Sequence, residues 1–550
     1  MNPNTVHITS LGGFGEVTRN MYAYETDTDI LLIDCGIGFP TEEMLGVDLL
    51  IPDVGFLKNK REKIRGMILT HGHEDHIGGL PYILPQLPEF PIYTARLTAA
   101  LAQAKLQEYN IKRNIQIVSS DASIKIGGFE ISFARVSHSI PDTFHLIIKT
   151  SAGIIYHGAD FKFDFTPVDG KQPELGKIAQ AGNLGVKLLI SDSLGSERQG
   201  ATRSEKSLDE MFEREISSCK GKFIVTTMSS SISRLQQAIS ASIKHGRKIF
   251  IAGRSIEKNV TIAQKLGYLD VDIRQIVPLK NLRKYKDDQV TILTAGSQGQ
   301  TGSALQRLAI GDHSFINIKP GDHVLFSSDY IPGSETAIHA AIDALYERGA
   351  TVTYANIKDD LHVSGHGSRH DLMMLINLTN PQYFMPVGGT FRHMVHYSLL
   401  AESMGYDRKN VLLPEGRTVI VDQQGVRLGD NALIRNVMVD GLGVGDVGNV
   451  VLRDRQVLAE EGIVVVLIQI DSETKRLAEA PDIITRGLIY AKPNSEILLS
   501  AKHHLNSILN RQKTMSDWHH VKQETIDILA NHFADKLQRH PMILPVVIEV

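Results

Sequence analysis

The sequence predicts a mixed α/β protein built in several units, and three observations point to it. Short β-branched or alternating runs recur and end in polar residues or glycine: DILLIDCG (29–36), GMILTH (66–71), FEISFARVSH (129–138) and GIIYHGAD (153–160). Helical patterns fall between them, as in LTAALAQAKLQEY (97–109). The same strand–loop–helix texture returns twice further along, which argues layered α/β architecture rather than a bundle or an all-β sandwich.

Taken in order, the first 200 residues carry the runs just quoted, and LGGFGEV (11–17) reads as a strand-to-strand turn. Residues 201–350 read as a second α/β unit, in which the amphipathic SLDEMFEREISSC precedes the strands GKFIVTTM, RKIFIAGRS and QVTILTAGSQGQ. The texture of the first part resumes over 351–440 with TVTYANI and HVSGHGSRHDLMMLINL. A linker follows at 441–458, and 459–550 reads as a small α+β unit with two helical stretches and a terminal strand, MILPVVIEV. GVGDVG (443–448) has the spacing of a dinucleotide loop, but NVVLRDR after it reads as a strand, not a helix that could hold a pyrophosphate. A turn is expected there.

Composition excludes several classes. A chain of 550 residues, 42% hydrophobic and 22% charged, has the make-up of an ordinary globular protein of more than one domain. A net charge of −4 gives no global basic field for a polyanion, although a local basic channel would not show in the total. Cys35 and Cys219 are too few for a disulfide framework or a cysteine-rich zinc site, so any metal must rest on imidazole and carboxylate. The N-terminus lacks a basic segment followed by an apolar core, and no run approaches the roughly 18 apolar residues of a spanning helix. The expected location is the cytoplasm, without membrane attachment.

THGHEDHIGG (70–79) places three histidines, a glutamate and an aspartate within six positions at the end of an apolar strand. Neutral imidazole and carboxylate oxygen suit zinc or manganese, and adjacent pairs aimed in different directions suit two ions better than one. His71, His73, Asp75 and His76 cannot complete two sites, so further donors are needed; His138 and Asp160, both at strand ends, are the candidates.

The ordered series H-x-H-x-D-H…H…D is that of the metallo-β-lactamase superfamily, an αββα sandwich. With LGGFGEVTRNMYAYE, IDCGIGFPTEEMLGVDLLIPD, HSIPD, DFKFD, AGRSIEK, TAGSQGQ, HVSGHGSR and DGLGVGDVGNVVLRDR, the chain resembles the ribonuclease J family of the β-CASP nuclease branch over nearly its whole length. The resemblance implies a metallo-β-lactamase domain interrupted by a β-CASP domain, then a linker and a small C-terminal domain. It assigns His71, His73 and His138 to one metal, Asp75 and His76 to another, and Asp160 to both. Asp34 and Asp192 become supporting partners, and Asp75 and His366 the catalytic candidates. His362, Val363, Ser364, Gly365 and His366 match the family's phosphate-binding loop.

The pattern breaks in PVGGTFRH (386–393), where Gly388 stands at the family's remaining histidine ligand and Thr390 at an acidic position. His393 is usual in the family, and His396 could help only through a rearranged loop. Ala159, Gln300 and MSSSISR (228–234) depart more mildly.

The resemblance implies a 5′-to-3′ exonuclease with endonuclease capacity on single-stranded RNA, preferably 5′-monophosphorylated, acting in RNA maturation and decay. It implies two divalent ions, zinc or alternatively manganese, a homodimer or homotetramer, and ribonuclease partners. The alternative is a weakly active, RNA-binding partner subunit, supported by Gly388. A thioester or lactam hydrolase would have no use for the phosphate loop.

Overall fold

The computed structural model describes all residues except 1–3, 42, 301, 329, 331–333, 359, 442, 446, 489–495 and 513, and of residue 449 only the backbone. Two compact units form: residues 1–39 with 50–437, and residues 40–49 with 438–550.

Two sheets make the sandwich of the first unit. One has eight strands, ordered Gly425–Asn431, Arg417–Asp422, Val6–Gly12, Met21–Glu25, Ile30–Ile33, Ile64–Ile68, Ile92–Thr94 and Ile115–Ile117. The other has six, ordered Tyr383–Val387, Val186–Asp192, Gly153–His157, Thr143–Thr150, Phe129–Val136 and Ser123–Ile126. Strand periodicity sorts the side chains. Phe129, Ile131 and Phe133 face the eight-stranded sheet, in one core with Ile8, Tyr24, Leu31 and Ile68. Ala134 and Val136 face the opposite way, against helices Leu175–Asn183, Arg369–Thr379 and Phe391–Ser403. Burial on both faces explains why Ala134 and Val136, as well as Phe129, Ile131 and Phe133, are apolar in this strand.

Between Val186–Asp192 and Tyr383–Val387 the chain leaves to build a five-stranded, wholly parallel sheet, ordered Lys248–Ala252, Val290–Thr294, Phe223–Thr226, His323–Phe326 and Thr351–Thr353. The second unit pairs Ile463–Ile470 with Asp482–Arg486 and Met542–Glu549, and one face of this sheet packs on helices Glu496–Leu509 and Trp518–Leu537.

One sequence reading is overturned. NVVLRDR opens a helix, Asn449–Glu460, not a strand. The Val450-Val451 pair suggested β structure, yet both side chains are exposed, so no sheet face requires them. The preceding Val437–Asp440 and Gly443–Val444 form an antiparallel pair, not the parallel unit that a dinucleotide loop requires. No helix among the described residues is long and apolar enough to cross a membrane.

Two buried histidines make the first unit sensitive to acid. His145 Nδ1 lies 2.9 Å from the Tyr156 hydroxyl, and His157 Nδ1 lies 2.8 Å from that of Tyr24. Burial, reinforced by His157, pushes His145 down to about 3; burial pushes His157 down to about 4 against the pull of Asp34. Above pH 6.5 both are neutral folded or unfolded; below it the unfolded chain takes protons that the folded one refuses. Stability is therefore lost as pH falls from 6.5 towards 3–4, about 4 kcal/mol for the pair at pH 5. Denaturant unfolding at pH 7 and pH 5 should show a correspondingly smaller loss in a His145→Gln/His157→Gln variant. An equal loss in both proteins would refute it.

Candidate metal centre

Strand ends converge on one rim of the sandwich. Ile30–Ile33 leads into Asp34, Ile64–Ile68 into His71 and His73, Phe129–Val136 into His138, and Gly153–His157 into Asp160. Val186–Asp192 ends on Asp192 itself, and Tyr383–Val387 leads to Gly388. Asp75 and His76 stand on a short helical turn, Glu74–Ile77, in which Gly78 N–H donates to the Glu74 carbonyl at 2.7 Å. That turn presses against Gly36, where a Cβ would lie 1.6 Å from the Asp75 carbonyl oxygen; glycine is required there.

Three groups of donors gather: His71, His73, His138 and Asp160; Asp75, His76 and Asp160; and Asp160, Asp192 and His366, each within 4.8 Å. In the first, His73 Nδ1 lies 3.2 Å from His71 Nε2 and 3.0 Å from His138 Nε2, and both Nε2 atoms lie 3.8 Å from Asp160 Oδ2. A tetrahedral ion with bonds of about 2.0–2.1 Å sets its donors about 3.3–3.4 Å apart, so the group fits such an ion. In the second, His76 Nε2 lies 3.3 Å from Asp160 Oδ2 and 3.5 Å from Asp75 Oδ2. That set has three donors where four would close it.

The outward nitrogen of each histidine is held elsewhere, which is how metal-binding imidazoles are oriented. His76 Nδ1 lies 2.8 Å from Asp34 Oδ2, and His138 Nδ1 donates to the Gly365 carbonyl at 2.7 Å. His71 Nδ1 sits 3.1 Å from the Thr70 hydroxyl, and His73 Nε2 3.1 Å from that of Ser139. Asp34, at φ +60 and fully buried, also receives Thr70 N–H. Thr70 and Ser139 escaped sequence reasoning, although each stands next to a predicted ligand, which was the available signal; Gly365 was read as part of the phosphate loop, but its contact with His138 was not foreseen.

Burial shapes the charges. It holds His71 and His73 well below their usual pKa and His138 at about 3, aided by neighbouring imidazoles, so these rings present lone pairs. Burial also opposes charge on His366, but Asp192, 2.7 Å from its Nδ1, and Asp160 overcome this and raise it to about 9. Burial raises Asp75 to about 6 against the pull of His76.

The 362–366 loop lies alongside. Ser364 Oγ accepts from His366 N–H at 3.1 Å, and His366 Nε2 is 3.9 Å from Asp160 Oδ2. Val363 is buried, while His362 Nδ1 faces Arg234 Nη1 at 2.6 Å. Gly388 adopts φ +63, and a Cβ there would lie 3.5 Å from Asp192 Oδ1 and 3.7 Å from Asp160 Oδ1. His393 and His396 turn instead to Glu197, with Nε2 at 3.5 and 3.3 Å from its oxygens. Neither stands in for the ligand that Gly388 cannot supply.

A two-sheet sandwich with a parallel-sheet insertion and a His/Asp cluster at its strand ends defines a metallo-hydrolase of the β-lactamase fold. Residues 14–143 match the metallo-beta-lactamase superfamily, 220–345 the ribonuclease J beta-CASP domain, 354–414 the Zn-dependent metallo-hydrolase RNA specificity domain, and 450–550 the ribonuclease J C-terminal domain. The chain is 39% identical to ribonuclease J2 of Bacillus subtilis, covering 100% of this chain and 99% of that one. It is 40% identical to ribonuclease J of Thermus thermophilus over 99% and 95%, and 34% identical to ribonuclease J 1 of Streptococcus pyogenes over 100% and 98%. A crystal structure of a protein of unknown function from Enterococcus faecalis shares the fold, with TM-score 0.54 and 17% identity over 76% of this chain and 100% of that one. The chain belongs to the ribonuclease J family.

Proposed function

We propose that this protein is a metal-dependent ribonuclease acting on single-stranded RNA, chiefly 5′-to-3′ from a 5′-monophosphate end and with endonuclease capacity, in RNA maturation and decay. One observation carries the reading: six His/Asp donors from three separate segments converge beside a loop suited to phosphate. Two divalent ions are proposed, zinc or alternatively manganese, one held by His71, His73, His138 and Asp160, the other by Asp75, His76 and Asp160. Bound there, such ions supply water activation near neutral pH and positive charge at the scissile phosphodiester.

The chain's own groups do the rest. Asp34 and Gly365 hold two of the imidazoles in register, so the donors are pre-organised. The 362–366 loop anchors the 5′-terminal or a neighbouring phosphate; Ser364 Oγ already accepts from His366 N–H, leaving its own proton for a phosphate oxygen. His366, protonated near neutral pH and steered by Asp192, is positioned to give a proton to the leaving oxygen. A homodimer or homotetramer in the cytoplasm, with ribonuclease partners, completes the proposal.

A 5′-monophosphorylated, end-labelled RNA incubated with Mn²⁺ or Zn²⁺ should yield mononucleotides with the intact protein and none with Asp75→Ala. His366→Ala should slow the chemical step by roughly 10²–10⁴-fold while RNA still binds. Unchanged turnover in His366→Ala would remove the proton-donor role, and about one metal per chain without turnover would favour the partner-subunit reading.

A further inference from the structure

Arg234 is a charged side chain only 2% exposed, in the first turn of the helix Ile232–Lys244 of the inserted domain. Its Nη2 donates to both oxygens of Glu205, at 3.2 and 3.0 Å, and to the Val363 carbonyl at 2.9 Å. Its Nη1 donates to the Ser327 carbonyl at 2.9 Å and faces His362 Nδ1 at 2.6 Å. A single planar group thus joins the insertion to the phosphate loop. Glu205 also accepts from the buried Lys162 Nζ at 3.1 Å, two residues beyond Asp160, and Lys162 N–H donates to the Ser137 carbonyl, one residue before His138. Continuous buried hydrogen bonds therefore run from the loop to the segments bearing two metal donors.

Such an arrangement is a poor device for stability alone, because stripping water from buried charges offsets much of their attraction. What it does supply is geometry: a guanidinium fork fixes several acceptors in one plane, which a lysine ammonium cannot do. Burial opposes charge on Glu205, but Arg234 and Lys162 hold it at about 2, so its carboxylate stays ionised throughout the working range.

We propose that Arg234 is a positioning residue that fixes the 362–366 loop relative to the metal donors, and thereby sets the preference for RNA bearing a 5′-phosphate. The proposal rests on the ribonuclease reading. Arg234 does not touch RNA; it acts through Val363 and His362.

Full-length Arg234→Lys tests this, because lysine keeps the charge opposite Glu205 and loses the fork. Metal content and thermal midpoint are measured first, then kcat and KM on 5′-monophosphate and 5′-hydroxyl RNAs of one sequence. Binding of the two RNAs by fluorescence anisotropy in an Asp75→Ala background gives a readout independent of turnover. Wild-type metal content and midpoint are expected, with KM for the 5′-monophosphate RNA raised about tenfold, kcat within about threefold, and the preference over 5′-hydroxyl RNA lost. Should Arg234→Lys fold poorly, Glu205→Gln, which keeps the shape and removes the charge, is read the same way. A preference that survives in a folded variant overturns the proposal, as does an equal loss on both RNAs with lowered kcat and midpoint. Wild-type protein that neither binds nor cleaves either RNA would defeat the ribonuclease reading itself, and the proposal with it.

Discussion

Asp160→Ala is expected to remain folded, to lose metal from the Asp75–His76 group and hold it more weakly at the three histidines, and to hydrolyse RNA at least roughly 10³-fold more slowly than the parent. Its carboxylate is shared by all three donor groups, and Oδ2 alone lies within 3.3–3.9 Å of His71, His76, His138 and His366. Alanine there leaves His71, His73 and His138 as a three-donor set and reduces the second group to Asp75 and His76. It also removes the negative charge that helps keep His76 and His366 protonated in the free protein. Folding should survive, since only polar neighbours lose a contact and the sandwich core lies elsewhere. Metal content per chain, the near-ultraviolet circular dichroism and the rate of nucleotide release together check the expectation. A variant with full metal content and turnover would show that the cluster is not the catalytic centre.

How far the sequence spoke depended on distance along the chain. The cluster at 71–76 was legible because four ligand-type residues crowd one strand end, and the layered α/β texture because strand-like runs alternate with helical ones, whereas the αββα plan came only with the family resemblance. His138 and Asp160 acquired meaning only from their order after that cluster. The ties among Arg234, Glu205 and Val363, which span 29 and 129 residues, left no local pattern, and nothing in 40–49 foretold its place in the C-terminal unit. The helix at Asn449–Glu460 was misread because the Val450-Val451 pair outweighed the run of charged residues that follows. Valine costs a helix at most about 0.7 kcal/mol per residue relative to alanine, so two of them could not exclude one.

Gly388→His should raise the affinity of the second donor group for a divalent ion by about 10–100-fold, and RNA hydrolysis with it. Two effects compete. The backbone at 388 holds φ +63, where a side chain costs about 1–2 kcal/mol, so the metal-free variant should be slightly less stable. Against this, a Cβ at 388 meets only ordinary contacts, 3.5 Å from Asp192 Oδ1 and 3.7 Å from Asp160 Oδ1, and so starts an imidazole towards the group that lacks a donor. A tenfold to hundredfold gain in affinity corresponds to about 1.4–2.8 kcal/mol, which matches the backbone strain at its lower end and exceeds it at its upper end once metal is bound. Metal titration by calorimetry gives the affinity, and thermal midpoints with and without metal separate the two effects. Tighter metal with faster hydrolysis would identify the missing ligand as the limit on this enzyme. Tighter metal with no gain in turnover would instead favour the RNA-binding partner subunit, and an unchanged affinity would mean that the second group does not bind metal as proposed.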